Sequence, residues 1–172
     1  DLVVSTILRD GSNDYPGTGA LEKNGPGTMM LGTNNVYTGG TTISDGTLQI
    51  GAGGAGGSVT GNITNNASLV FNRSGALTHS GVILGTGSVT KTGSGNVTLS
   101  AANIYSGATT VNQGTLTLSA SGSIATSSPI TVAAGATLDV TAKGVWAVGA
   151  AQTLQGNGSV AGATTISGTM RP

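Results

Sequence analysis

Residues 23–50 read KNGPGTMMLGTNNVYTGGTTISDGTLQI, and residues 91–118 read KTGSGNVTLSAANIYSGATTVNQGTLTL. Set in register at an offset of 68, Lys23 meets Lys91, Leu31 meets Leu99, Asn35 meets Asn103 and Tyr37 meets Tyr105. Gly25/Gly93, Gly27/Gly95, Gly39/Gly107, Thr41/Thr109, Thr42/Thr110, Gly46/Gly114, Thr47/Thr115 and Leu48/Leu116 coincide as well. Chance in a low-complexity chain aligns Gly with Gly and Thr with Thr. It does not easily bring Lys, Asn, Tyr and Leu into one frame. The two copies, taken as residues 21–50 and 89–118, are an internal repeat.

Working outward, LVVSTIL at Leu2 to Leu8 echoes LTHSGVI at Leu77 to Ile83, with about seven extra residues near GSNDYPG in the first. A weaker echo fills residues 128–172, where GNGSV matches the GTGSV at Gly85 to Val89. GAGGAGGS at 51–58 separates the blocks and reads as a flexible turn.

Inside each copy the finer period is two. Leu48 and Ile50 alternate with Thr47 and Gln49, and TLTL, VTL and ITV repeat the pattern at 115–118, 97–99 and 130–132. Such alternation marks short half-buried strands. No stretch carries helical spacing, and dense glycine makes any helix poor. Strands of about four to six residues joined by tight turns are predicted.

Short, evenly spaced strands suit a sandwich, a barrel or a solenoid, and internal repetition favours the solenoid. With rungs of about 20 to 25 residues, the offset of 68 corresponds to about three rungs and the whole chain to roughly seven or eight. A single segment, residues 1–172, is expected. The inward positions are Met29, Leu31, Ile43, Leu48, Ile50, Leu69, Phe71, Val97, Leu99, Val111, Leu116 and Leu118.

Composition narrows the function classes. The chain is 37% hydrophobic, 7% charged and 3% aromatic, with 31 glycines. Ordinary domains are about 25% charged. Disordered chains are typically charged and poor in β-branched residues, whereas this one combines Thr, Asn and Ser with Val, Ile and Leu. Six basic residues against six acidic give no basic cluster, so nucleic acid is not an expected partner. The absence of cysteine excludes disulfides and thiolate metal sites. No apolar run is long enough to span a membrane and no signal peptide is legible. The chain begins at Asp and reads as a mature protein or an excised fragment.

Candidate sites are few. His79 is the only imidazole; it is expected at the surface or in a turn, and Ser80 beside it points the opposite way on a strand. The acids Asp1, Asp10, Asp14, Glu22, Asp45 and Asp139 form no paired motif; Asp10 and Asp14 lie close together and fit either a cation site or an ordinary polar loop, the loop being favoured. Residues 51–58 lack the Gly-Lys-Ser/Thr ending of a phosphate loop. Asn62, Asn66, Asn72 and Asn96 open Asn-x-Ser/Thr triplets, glycosylation acceptors only in a suitable host. Asn35 and Asn103 fit either left-handed turns or an Asn ladder. Tyr37 and Tyr105 either seal a core corner or form an outward binding stripe, the first being favoured. Trp146 is expected over an end or a flank. No catalytic, cofactor or metal residues are assigned.

The pattern Lys-x-Gly-x-Gly-x-x-x-Leu, then Asn-x-Tyr-x-Gly-x-Thr-Thr and Gly-Thr-Leu, resembles the autotransporter-associated β-strand repeat, or passenger-associated transport repeat. Both copies carry it, with departures at Met29, Met30, Asn96 and Ala108. The resemblance implies a right-handed parallel β-helix, exported through the outer membrane of a Gram-negative cell and displayed on the surface or released. It implies a non-enzymatic stalk, adhesin or self-association module. The expected partners are the chain itself, by end-to-end or lateral contact, or surface glycans or proteins, without direct membrane insertion by this segment. The alternatives are a head-to-tail fibre subunit and, less favoured, a carbohydrate-active enzyme on a β-helix.

Overall fold

The computed structural model describes residues 1–11 and 17–172. Among these, the one helical element is a 3-10 turn at Thr141–Lys143; everything else regular is strand. One sheet stacks nine strands: β1 (Leu2–Val4), β3 (Thr28–Leu31), β5 (Thr47–Ile50), β7 (Ser68–Phe71), β10 (Ser88–Lys91), β12 (Thr109–Val111), β14 (Ile130–Val132), β17 (Thr153–Gln155) and β20 (Thr169–Arg171). A second stacks β8 (Leu77–His79), β11 (Asn96–Leu99), β13 (Thr115–Leu118), β15 (Thr137–Asp139) and β18 (Ser159–Ala161). The third side holds β2 (Leu21–Lys23), β4 (Thr41–Ile43), β6 (Ile63–Asn65) and β9 (Ile83–Leu84) early in the chain, and β16 (Val145–Val148) with β19 (Ala163–Ile166) late. Neighbours pair in parallel throughout, for example β5 on β3 and β13 on β11.

Parallel neighbours cannot be joined by a hairpin. Here the crossover from one strand to the next is the rest of a turn: β7, β8, β9 and β10 visit all three sides in order. The result is a three-sided β-solenoid. Nine strands in the longest sheet mean eight turns, about 38 Å of stack at roughly 4.8 Å per strand. Thr28 pairs with Thr47, Ser68 with Ser88 and Thr109 with Ile130, so from β3 to β14 a turn of this sheet takes 19 to 21 residues, while the last two, Ile130 to Leu154 and Thr153 to Thr169, take 24 and 16. The first turn runs from Leu2 to Met29, 27 residues, which accommodates the insertion seen in the sequence.

Period-two alternation fills the core. Strands β5, β7, β10 and β13 each alternate half-buried with buried residues. Leu31, Ile50, Phe71, Lys91, Val111 and Val132 form one inner column in register. All the expected inward residues are buried except Met29, which is half-buried. Each fully buried aliphatic contributes about 1.5–3 kcal/mol, and in a solenoid these contributions add chiefly between adjacent turns.

The repeat offset needs correction. It is not three rungs but three turns plus one side. Strand β3 lies in the nine-stranded sheet while its repeat equivalent β11 lies in the five-stranded one. Likewise β4 sits on the third side and its equivalent β12 in the nine-stranded sheet. Three turns of about 20 residues leave some eight of the 68 over, enough to carry the chain from β7 to β8.

Local pairing nevertheless survives the shift. Strands β4 and β5 pair with β2 and β3 as β12 and β13 pair with β10 and β11. A variant lacking residues 32–99 therefore sets β12 and β13 on β2 and β3 and should fold, with β-type circular dichroism and negligible helix. Loss of the β-signal would show that the two copies are not interchangeable.

Candidate functional site

The interior is more polar than the sequence suggests, and the polar groups tie turns together. Lys23 is buried; its Nζ donates to Gly25 O at 2.6 Å and to Asp45 O at 3.0 Å, one turn on. Lys91 repeats this at the equivalent position, donating to Gly93 O and to Gln113 O at 3.1 Å. Burial holds the Lys91 amine below its usual range. Lys143 reaches back one turn to Ala120 O and Gly122 O, both at 2.8 Å. Charged donors to neutral acceptors make stronger hydrogen bonds than neutral pairs do. These cations fasten loops; they are not arranged to meet a ligand.

Arg73 does the same for the glycine-rich stretch. Its guanidinium donates to Gly57 O, Ala55 O and, at 3.2 Å, Ala76 O. Residues 51–58 are thus wound against a buried arginine rather than forming a loose turn. Further main-chain bonds run from Gly51 N to Leu31 O and from Gly53 N to Asn72 O. Gly57 has φ +98°, and a Cβ there would meet Leu31 O at 2.7 Å, so glycine is required.

Asn35 and Asn103 neither adopt a left-handed backbone nor stack on each other. Every positive-φ residue described is glycine. Each Asn spans three turns instead. Asn103 Oδ1 accepts Ile83 N–H at 2.8 Å from below, and Nδ2 donates to Ala101 O at 2.9 Å and to Ser123 O at 3.1 Å above. Asn35 makes the matching bonds with Leu8, Thr33 and Ser58.

The tyrosines seal the same corners. Tyr37 and Tyr105 are buried, and their hydroxyls bond Thr41 Oγ1 at 2.7 Å and Thr109 Oγ1 at 2.6 Å. Burial pushes the Tyr105 hydroxyl up to about 12. An outward tyrosine stripe is therefore ruled out. Trp146 is also inside, on β16, rather than on a flank.

His79 overturns its surface reading. It is buried on β8, in register with Leu99, with its ring centroid 6.4 Å from that of Phe71. Its Nε2 has no partner. Burial pushes its pKa down to about 4, with the Val59 backbone hydrogen bond acting the other way. Ser80 is exposed, so the two side chains do not meet.

Four of the aspartates accept main-chain N–H groups in turns and loops, whereas Glu22 is exposed on β2. Asp10 accepts Thr38 Oγ1 at 2.6 Å, Thr38 N–H at 2.9 Å and Gly19 N–H at 2.7 Å, and the Thr38 hydroxyl is the main cause that lowers its pKa. Asp139 accepts the Thr141 N–H at 3.0 Å, which lowers its pKa. Asp45 accepts Gly46 N–H at 2.7 Å and Asp1 accepts Thr28 N–H at 2.9 Å. The proposed pairing of Asp10 with Asp14 falls on a residue outside those described. Among the described residues no three His, Asp or Glu gather as metal ligands. Of the triplet asparagines, Asn62, Asn66 and Asn96 are exposed and Asn72 is half-buried.

What remains for recognition is the outer surface, and the register makes it regular. Thr78, Thr98 and Thr117 form one outward row on the five-stranded sheet, ending in Asp139 and Ala161. Asn96, Thr115, Thr137 and Ser159 form the adjoining row. Thr90, Thr110 and Thr131 line up on the nine-stranded sheet, followed by Gln155. Hydroxyl and amide groups therefore repeat at about 4.8 Å along these rows, which run on into Asp139 on one face and into Arg171 and Val70 on the other. Sequence reasoning missed these rows because each belongs to one face only once the turn length is known.

The passenger-associated-transport-repeat profile matches residues 21–50 and 89–118. Over 101 residues, 59% of this chain, the sequence is 48% identical to the adhesin BmaC autotransporter of Brucella suis biovar 1 (strain 1330). The chain spans about 3% of that relative's length. No solved structure matches it. Two segments of this chain, both wound into the solenoid, are thus similar to the passenger-associated transport repeat.

Proposed function

We propose that the chain is a non-enzymatic segment of an exported autotransporter passenger, a rigid β-solenoid that presents hydroxyl- and amide-bearing faces for adhesion at the cell surface. The observation that carries this reading is the coincidence of two passenger repeats with ordered outward rows such as Thr78–Thr98–Thr117. A flat face with many hydroxyls and little charge suits surface glycans or another polar sheet, where many weak hydrogen bonds act together. The polar side chains that sequence reading offers for catalysis are otherwise engaged, His79 in the core and the aspartates on turns.

The test is made in the parent passenger displayed on its cell. Protease treatment of intact cells should release this segment, and Thr98→Lys with Thr117→Lys should reduce adhesion several-fold while leaving the solenoid's dichroism unchanged. Full adhesion after in-frame removal of the segment would reduce its role to that of a stalk. Screening the segment against glycans, peptides and esters should give no turnover that His79→Ala or Asp45→Ala abolishes. Such a turnover would overturn the non-enzymatic reading.

A second reading is the head-to-tail fibre, in which the outermost strands of the nine-stranded sheet meet those of a second copy. Leu2, Val3 and Met170, on the two outermost strands of the nine-stranded sheet, are 55%, 61% and 62% exposed. Open strand edges pair readily with other strands, here with the flanking turns of a longer passenger or with a second copy. Sedimentation across a concentration series separates the two: a stable monomer at high concentration removes the fibre.

A further inference from the structure

The second of the two turns between the repeat copies gathers three of the four buried side chains that are or can become cations. Arg73, His79 and Lys91 all lie inside it or at its upper edge, and all are buried. Two of the three leave an atom unpartnered, Arg73 Nε and His79 Nε2. Their surroundings offer no compensating anion. Phe71 stands beside His79, and Lys91 stacks on Phe71 from β10. Strand β11 places Leu99 over His79, and the Val59 carbonyl accepts a hydrogen bond from the ring. Arg73 closes the corner between β7 and β8 by holding Ala76 O, three residues before His79, and Gly57 O, two before Val59. No Asp or Glu is among the buried described residues. A proton on His79 would add a third cation to this carboxylate-free interior.

We propose that His79 makes this turn an acid-labile joint, so that mild acid opens the solenoid between its two repeat blocks while the blocks themselves stay wound. The sign follows from the burial of the ring. A histidine whose folded pKa is depressed stabilises the fold fully above its unfolded pKa of 6.5, and loses that contribution as pH falls through the interval down to about 4. The local opening equilibrium should then rise about tenfold per pH unit below 6.5, to about 300-fold at the lower limit. Most of that window lies above the ordinary range of carboxylates, which separates this effect from general acid unfolding.

Hydrogen exchange of the full chain between pH 7.5 and 4.8, corrected for intrinsic exchange rates, tests the joint. Backbone amides of residues 57–62 and 77–84 should exchange progressively faster in acid, while those of 41–50 and 109–118 keep their protection. His79→Leu, which matches the neighbouring Leu99, should flatten the response. Should that variant fail to fold, the wild-type ring is followed instead by nuclear magnetic resonance, where no protonation is expected above about pH 5 in the folded chain. A ring that titrates near 6.5 in the folded state, a uniform acid response along the chain, or an unchanged response in a folded His79→Leu would each overturn the proposal.

Discussion

Gly114→Ala is expected to lower the unfolding free energy by about 3 kcal/mol or more, enough to disrupt the turns around it. The residue has φ +69°, and a Cβ added there would lie 2.6 Å from Ser94 O and 2.7 Å from both Gly93 O and Gly95 O. The left-handed backbone alone costs a side-chain-bearing residue about 1–2 kcal/mol. The three oxygens are main chain of the turn below, so relief requires the two turns to move apart, at a further 1–3 kcal/mol or so for the overpacking. Gly135 supplies the control. Its φ is +79°, but a Cβ there has nothing within 4 Å, so Gly135→Ala should show the backbone cost alone. Urea unfolding of both variants checks the difference. Equal losses would mean that the carbonyl contacts do not matter.

Asn103→Ala should cost about 2–4 kcal/mol, with a local signature. Ala101 O and Ser123 O each keep a main-chain donor after the substitution, from Ser123 N at 3.1 Å and from Asn103 N at 3.2 Å. The Ile83 N–H loses the acceptor that Asn103 Oδ1 provides. An orphaned buried donor costs about 1–3 kcal/mol, and the vacated side-chain volume adds to it. Exchange of the Ile83 amide reports this directly. If that amide stayed protected and stability moved by less than about 1 kcal/mol, the three-turn clasp would be only incidental to the fold.

How much of this could be read from residues alone depends on which length scale carried the information. Alternation such as Thr47-Leu48-Gln49-Ile50 fixes which side chains turn inward, because the strand period is two and does not depend on the rest of the chain. The repeat fixes the solenoid. The side on which each copy lies is not written locally, since it depends on the remainder after dividing 68 by the length of a turn. His79 misled for a related reason: a lone histidine flanked by Thr and Ser looks superficial, whereas in register it occupies the column of Leu99. A usable signal existed for Lys91. In Val89-Thr90-Lys91 it falls on the inward phase of the alternation, as Val89 does, and Lys23 recurs at the same place. Arg73 had no such signal, because the carbonyls it holds come from residues 55 and 57 of the turn before.

The step of one side per repeat has a consequence for any receptor that reads the repeat itself. Val36 and Ile104 are equivalent positions, 55% and 59% exposed, yet they face different directions. A passenger that kept this 68-residue spacing would display such equivalents as a screw rather than a stripe. Three copies, about ten turns and roughly 48 Å at 4.8 Å each, would pass before the same feature returned to the same flank. A binding partner approaching from one direction would meet isolated footholds at that spacing, and only one that wrapped around the shaft could engage consecutive copies.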